Sequence, residues 1–549
     1  MPNQDLLATA FPKLTADQMA GMDECHLCRR KHYRAGELLF RAGERNPRFY
    51  VVIGGQIEIV DESGDTPKTI VTHEPGSFAG DVSLITGRPA VVSAIAHGET
   101  DVYEISPDAL RQLLNHDPDL GDIILQAFMA RRQLLRESAG FIGLRVIGSH
   151  SSQNTFRVRE FLSRNGQPYT WLDLDTDPAA KDLLRLFGLG EADTPVVSCG
   201  RMVILKNPSN RQLADELGLR RKLEAKVYDL VVVGSGPAGL AAAVYGASEG
   251  LSTVVLETSA PGGQAGRSMR IENYLGFASG ITGERLTEQA VIQANKFGAS
   301  LQIGTQVGGL SFDGSVNVVR LDGGEMVKAK CLIIASGAEY RVLGVEGCEK
   351  YEGRGVYYAA TPIEAKECAG AEVVVVGGGN SAGQAAVFLS RHARTVYVVI
   401  RGGDLYKNMS SYLAGRVEGQ ENIEVLRNTE VGRLDGDGSL ERVELANRKT
   451  GEVKRLTCPA VFSFIGAIPR TDWLPPEIER DEKQFVMTGP GLRSSPHWTA
   501  KRPPFFLETT RPGVFAAGDV RSGSVKRCAS AVGEGSMAVQ FVHEHLKDA

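Results

Sequence analysis

Two stretches of this 549-residue chain constrain the backbone more tightly than any others. The first runs Asp229-Leu-Val-Val-Val233 into Gly234-Ser235-Gly236-Pro237-Ala238-Gly239 and then a segment rich in alanine. The second runs Glu372-Val-Val-Val-Val376 into Gly377-Gly-Gly379-Asn380-Ser381-Ala382. An apolar strand that turns through such a triplet into a helix opens a βαβ dinucleotide-binding unit. The turn is tight, the backbone is bare enough for a pyrophosphate to approach, and the free N–H groups of the first helical turn receive its oxygens. A lone GxGxxG is weak, because any glycine-rich turn can present it. Here the following strand, 253–256, ends at Glu257, which is placed to bond a ribose hydroxyl. The second unit continues through a helix past Leu389 and a strand at 395–400, and Arg401 stands where an NAD site would have an acid.

The length exceeds what one core supports, and about three or four domains are expected. Ahead of the first fingerprint lie short strands at 36–40, 49–53, 56–61 and 101–106, with turn residues every eight to twelve positions. That pattern predicts an antiparallel β-roll or barrel. A helix from 117 to about 138 follows, apolar at Leu120, Ile123, Ile124, Ala127 and Phe128; it reads as a connecting helix or a dimer seam. Between 144 and 198 the order is strand, helix, strand, helix, strand, which suits a small thioredoxin-like α/β unit. The charged segment 220–226 reads as a linker.

Composition removes several classes. Hydrophobic residues at 42% and charged residues at 23% are ordinary for a soluble protein. A net charge of −5 gives no basis for a nucleic-acid or anionic-membrane surface. The start of the chain has no signal-like apolar region and no apolar run has membrane length, so a cytoplasmic protein is expected. The eight cysteines are mostly single, which suits a reducing compartment. Cys25-His-Leu-Cys28 is the one CxxC and has no second ligand pair downstream, so no metal is expected.

Further motifs accompany the fingerprints: Gly262-Gly263-Gln264, Glu272-Asn273-Tyr-Leu-Gly276, Ile334-Ala-Ser-Gly337-Ala338 and Gly513-Val-Phe-Ala-Ala-Gly518-Asp519. Together they resemble the thioredoxin reductase family over residues 226–549. The resemblance implies an FAD domain at 226–345 and 476–549, interrupted by an NAD(P)H domain at 346–475. By position it places Gly263, Gln264, Asn273 and Ala338 at the flavin, Val307 at the adenine and Asp519 at the ribityl chain. It also implies that the helix starting near Arg527-Cys528-Ala529 faces the pyrimidine side of the flavin. Where the family usually has glutamine this chain has Arg527, whose fixed charge would favour the anionic reduced flavin. Members that use NADPH carry two adjacent arginines after the second unit. Only Arg401 matches, so NADPH is expected, with NADH as the alternative and no productive nicotinamide as a third option.

One departure decides the chemistry. The family carries Cys-Ala-Thr-Cys shortly after a Gly-Val pair, whereas here Gly355-Val356-Tyr-Tyr leads to Ala359-Ala360-Thr361-Pro362. Neither alanine nor proline can form a thiolate or hold two electrons as a disulfide. Cys368 is alone nearby. Cys528 abuts the helix start, whose dipole would lower its pKa.

The front units also depart from the families they resemble. The middle unit, 141–225, resembles glutaredoxin, with Ser152 and Thr155 in place of the two cysteines and Thr194-Pro195 matching the proline loop. The roll, 1–140, resembles the cyclic-nucleotide-binding domain through Phe78-Ala-Gly80-Asp81-Val-Ser-Leu84 and Gly87-Arg88-Pro89. Asp81 is shorter than the family's glutamate, and Ala90-Val91 replace its arginine–serine pair. Losing a bidentate guanidinium costs a cyclic phosphate about 2–3 kcal/mol. That counts against nucleotide binding unless Arg88 shifts in to compensate.

The expected fold is therefore multidomain: an N-terminal β-roll, a thioredoxin-like α/β unit, and two Rossmann-like α/β dinucleotide-binding domains. The expected function is an oxidoreductase that moves electrons from NAD(P)H, by hydride transfer from nicotinamide C4 to flavin N5, to an unidentified acceptor without an internal disulfide. The rivals are a flavin-bound regulatory protein with little turnover and a thioredoxin-disulfide reductase using another thiol. A homodimer is expected, and nucleic-acid binding is not.

Overall fold

A computed structural model describes residues 4–62, 67–137, 144–199 and 202–548. The roll consists of two antiparallel four-stranded sheets. One orders Arg29–Tyr33, Thr100–Ile105, Phe49–Gly54 and Phe78–Ala79; the other orders Leu38–Phe40, Ser93–Ala96, Ile57–Asp61 and Lys68–His73. Phe49, Phe78 and Phe128 meet in its core with ring centroids 5.5 to 6.2 Å apart. Phe128 comes from the helix Pro118–Glu137, whose Leu120, Ile124, Ala127 and Phe128 form the buried stripe that the periodicity predicts. The expected end at Ser138 and the boundary at 140 lie outside the described residues.

In the middle unit the sheet order is Tyr169–Asp173, Leu144–Gly148, Val196–Cys199, Met202–Lys206. The first pair is parallel and the others antiparallel. Helices Gln153–Arg164, Pro178–Leu186 and Asn210–Glu216 accompany it. Ser152 caps the first of them by accepting a hydrogen bond from the Thr155 backbone N–H. The Thr194–Pro195 peptide is cis. The strand Met202–Lys206 and the helix after it extend the five-element order read from the sequence.

The expected linker at 220–226 is fastened down at its start, while Lys222, Glu224 and Lys226 stay exposed. The Arg220 guanidinium reaches Asp215 at 3.0 Å and Glu325 at 3.1 Å, and Arg221 donates to the carbonyl of Thr86 in the roll. The charges of Arg220 and Arg221 serve docking. The roll is tied in elsewhere too: Arg132 donates to Gly166 O at 3.1 Å, and Ile292 of the helix Gly283–Lys296 joins the roll's own apolar core.

The back half starts with a seven-stranded sheet. Ser300–Ile303, Thr253–Glu257, Val227–Val233 and Met326–Ile334 are parallel in that order, and Val514–Ala516 pairs with the end of the last. A second parallel sheet is inserted, ordered Val356–Tyr357, Ala460–Ser463, Glu372–Val376, Thr395–Ile400 and Ile423–Arg427. The chain passes between the two sheets twice, and the two crossings pair with each other as the strands Ala338–Tyr340 and Ala467–Pro469. Among the described residues no helix is long and apolar enough to cross a membrane.

Candidate functional site

The strand Val227–Val233 ends at Gly234, whose φ of +100° suits only glycine. The chain then enters the helix Pro237–Ser248 with proline at its first position. A side chain at Gly239 would overlap the carbonyl of Gly234, so helix and turn are in backbone contact. At Gly236 the opposite holds, because nothing lies within 4 Å of where a β-carbon would be. This bare, donor-rich edge opens on a cleft of about 550 Å³ and fits a dinucleotide pyrophosphate.

The sequence-predicted flavin residues mostly gather here. Gly234 to Ala238, Glu257, Gly263, Gln264, Asn273, Ala338, Gly518, Asp519, Arg527 and Cys528 all line the cleft. Glu257 holds the turn in shape, since one carboxylate oxygen accepts from Ser235 N at 3.0 Å and Ser235 Oγ at 2.7 Å, and the other accepts from Ser259 N at 2.9 Å. Gln264 donates to the carbonyl of Ala338, joining the two loops on either side. Gly518 N donates to Glu534, which also binds Arg521. Burial raises the Asp519 carboxyl above the usual range.

Several expectations need correction. Val307 is not brought to the cleft: it pairs with Leu321 and packs into the core with Leu256 and Ile334. Ala529 is not in the lining either, whereas Gly239 lies behind the turn, in the close backbone contact its place in the fingerprint calls for. Cys528 does begin the helix Cys528–Asp548, but its thiol moves opposite to expectation. Burial, helped by the charge of Asp519, pushes it up to about 11.

The second fingerprint faces the same cleft. Asn380 and Ser381, which begin the helix Asn380–Leu389, line it together with Gln384. Asn380 Oδ1 accepts from Ser410 N at 2.7 Å, and the Tyr340 hydroxyl reaches Ser381 Oγ at 3.5 Å from the crossing strand. Gly377, Gly379 and Ala382 form the turn beneath, with Ala382 fully buried. Arg401 follows the strand Thr395–Ile400 on an exposed edge, outside the cleft.

At the thiol-less segment, Ala359 and Ala360 are buried, and Thr361 caps the helix Pro362–Glu367. Thr361 donates its N–H and its hydroxyl to Glu364, a reciprocal capping box. Burial pushes Glu364 up to about 7 against those hydrogen bonds. Cys368 is buried beside it and its thiol donates to the Glu364 carbonyl. Burial and the neighbouring Cys25 push Cys28 up to about 12, which makes it a poor thiolate.

In the roll, Arg88 does not turn inward to compensate for the missing phosphate ligand. Its Nη1 donates to Asn165 O of the middle unit at 3.0 Å. Asp81 is occupied by Ser83, with N–H to Oδ1 at 2.9 Å. The roll's cavity of about 540 Å³ is lined by Phe40, Ile59, Val71 and Val92 beside Arg131, which donates to Ala10 O and Gly80 O. A second feature the sequence spacing does not signal is an exposed cluster in which His150 Nδ1 lies 3.2 Å from Asp173 and 2.9 Å from Asp175. Sequence reading also missed Arg164, Arg267, Tyr340 and Arg470 in the dinucleotide cleft. Arg164 comes from another unit, and no spacing within the fingerprints could point to it.

Comparison with known proteins agrees with this geometry. Residues 228–535 match the family profile described as pyridine nucleotide-disulphide oxidoreductase, and residues 30–117 match the cyclic nucleotide-binding domain. A thioredoxin reductase of Bacillus subtilis is 35% identical over 328 residues, covering 59% of this chain and 96% of that protein. One from Mycolicibacterium smegmatis is 35% identical over 317 residues, covering 57% and 94%. The crystal structure of Lactococcus lactis thioredoxin reductase in its FR conformation superimposes with a TM-score of 0.53 at 29% identity, covering 59% of this chain and all of that one. That of the T. acidophilum thioredoxin reductase gives 0.52 at 30% identity, covering 58% and 99%. The chain belongs to the pyridine nucleotide-disulphide oxidoreductase family, as an oxidoreductase of the kind that works with FAD and NADPH.

Proposed function

We propose that the chain carries electrons from NADPH, with NADH as the alternative donor, through FAD to an acceptor outside the polypeptide, with no disulfide of its own in between. The observation that carries this reading is the shared cleft: the open turn at Gly236 and the helix start at Asn380 and Ser381 line one space of about 550 Å³. Two dinucleotides held by those edges would meet there. Bound FAD supplies a two-electron acceptor and the nicotinamide a hydride. The residues supply placement: Gly234 to Ala238 receive the pyrophosphate, Glu257 keeps the turn and offers its carboxylate to a ribose, and Tyr340 and Ser381 border the space between. Asp519 and Arg527 line the same cleft. The single cysteine in the lining, Cys528, is a suppressed thiol and no relay.

The middle unit, in this reading, is a glutaredoxin-type domain stripped of its dithiol and kept for docking, and the roll is a structural or dimerising relative of nucleotide-binding domains. Arg88 being tied to the middle unit supports that assignment of the roll. The protein is taken to work in the cytoplasm as a homodimer, without nucleic acid. Anaerobic mixing of the purified holoprotein with NADPH and with NADH tests the function. Bleaching of the flavin absorbance within seconds, followed by recovery on adding quinone, ferricyanide or oxygen, is expected. Flavin that stays oxidised for minutes with both donors would instead support a sensor that holds FAD without turnover.

A further inference from the structure

The loop from Glu257 to Arg267 forms the flavin side of the cleft, and one helix of the middle unit grips it from outside. At the end of the helix Gln153–Arg164, Arg164 Nη2 donates to Gly263 O at 3.2 Å. The next residue, Asn165, donates its amide to Ser259 O at 3.1 Å, and Glu160 accepts from Arg267 at 2.7 Å. Arg164 also lines the cleft itself, beside Gly234 to Ala238 and Glu257.

Its electrostatic position is unusual for a packing arginine. The side chain is 14% exposed, and its nearest carboxylate, Glu160, is 3.9 Å away and already engaged by Arg267. Arg267 and Arg470 also line the cleft and act on Arg164 electrostatically, as do the carboxylates of Glu160 and Glu257, while Arg470 is itself paired with Glu339. Burial first, then repulsion from Arg267, pulls Arg164 down to about 10. An arrangement of this kind accommodates an anion better than it accommodates water. The anion's place is indicated by Gly263, whose carbonyl Arg164 holds: a β-carbon there would lie 3.1 Å from the α-carbon of Gly236, the bare residue of the fingerprint turn.

We propose that Arg164 is a residue of the FAD site contributed by the middle unit, its guanidinium meeting the pyrophosphate of the bound dinucleotide, so that flavin binding and docking of the middle unit reinforce each other. The proposal rests on reading the cleft as the FAD site. Arg164 lies outside the matched family segment, which begins at residue 228, so the family's own pattern does not contain it.

The test is titration of the full-length chain, freed of flavin, with FAD and with riboflavin, which lacks the pyrophosphate. Arg164→Met is expected to weaken FAD binding by about 10- to 100-fold, the worth of one charge-assisted contact, and to leave riboflavin binding unchanged. Arg164→Lys should recover part of the loss, and the salt dependence of FAD binding should be shallower in the Met variant. Asn165→Ala, which loosens the same docking without removing the charge, should weaken FAD binding less than Arg164→Met does and keep the salt dependence of the parent chain. Unchanged FAD affinity in Arg164→Met overturns the proposal. So does an equal loss for FAD and riboflavin, because that would make Arg164 a packing residue. A parent chain that binds no FAD at all sinks the reading of the cleft along with it, and is thereby told apart from failure of Arg164 alone.

Discussion

Arg527 and Cys528 stand side by side in the lining of the cleft, and their environments assign them different roles. Cys528 is partly buried beside Asp519, and a thiol held near 11 contributes no nucleophile at neutral pH. Arg527 presents a planar guanidinium with several N–H donors. If it faces the flavin pyrimidine, it stabilises negative charge on the reduced form, and Arg527→Gln should make the flavin midpoint potential more negative. Arg527 is exposed, so solvent screens the effect, and a shift on the order of 30 mV is expected, equivalent to about 1.4 kcal/mol for a two-electron couple. A spectroelectrochemical titration of both proteins measures it, and coincident potentials would reduce Arg527 to a surface residue. Cys528→Ser is expected to leave the potential where it was.

Among the elements, the short helix Pro362–Glu367 shows best what replaced the redox pair. Proline at its first position and the Thr361–Glu364 box make a self-sufficient cap. Burial raises Glu364 from 4.5 to about 7. A carboxyl that holds its proton more tightly in the folded state contributes most below its unfolded value near 4.5, and the contribution is lost as pH climbs through 7. Glu364→Gln mimics the protonated form and keeps an acceptor for Thr361. It should raise the stability at pH 8 by up to about 3 kcal/mol, read as a higher melting temperature, and change little at pH 5. Thermal unfolding of both proteins at the two pH values decides it; an equal loss at both would mean that the amide fails as a cap. Other elements were legible in the sequence because local rules fix them: strand, glycine turn and helix at both fingerprints, and the stripe Leu120, Ile124, Ala127 and Phe128. The three-stranded sheet of Thr429–Asp435, Arg442–Asn447 and Val453–Thr457 was not read. Its strands are edged with alternating charges, paired across strands as in Arg442–Asp435 and Arg455–Glu444. Burial is not legible in local sequence either, and burial sets the direction of the Cys528 shift.

Across the molecule, the front half lies against the surface that a disulfide at 359 and 362 would use. The Phe156 ring, in the helix that Ser152 caps, lies 6.0 Å from the ring of Tyr357, and a β-carbon on Gly353 would touch Phe156 and Gln153 at 3.7 and 3.8 Å. Thr361, Pro362 and Ile363 line a junction cavity of about 560 Å³ shared with Arg88 and Arg132 of the roll and Glu160 of the middle unit. No local rule in the sequence announces such a junction, because it arises from three surfaces meeting. It has a consequence for any attempt to restore the lost chemistry. In the full-length chain, Ala359→Cys with Pro362→Cys should let anaerobic titration deliver two further electrons per chain and expose two thiols on reduction. NADPH-driven reduction of thioredoxin should nevertheless stay at the background of the parent protein, since the docked units occupy the approach. The same pair of substitutions in a chain beginning at Val227, supplied with excess FAD, removes that cover and should raise thioredoxin turnover by at least about tenfold, the rate expected when a blocked encounter surface is opened. If the full-length double variant reduces thioredoxin as fast as the shortened one, the front half does not shield this face, and the loss of the cysteines alone accounts for the missing relay.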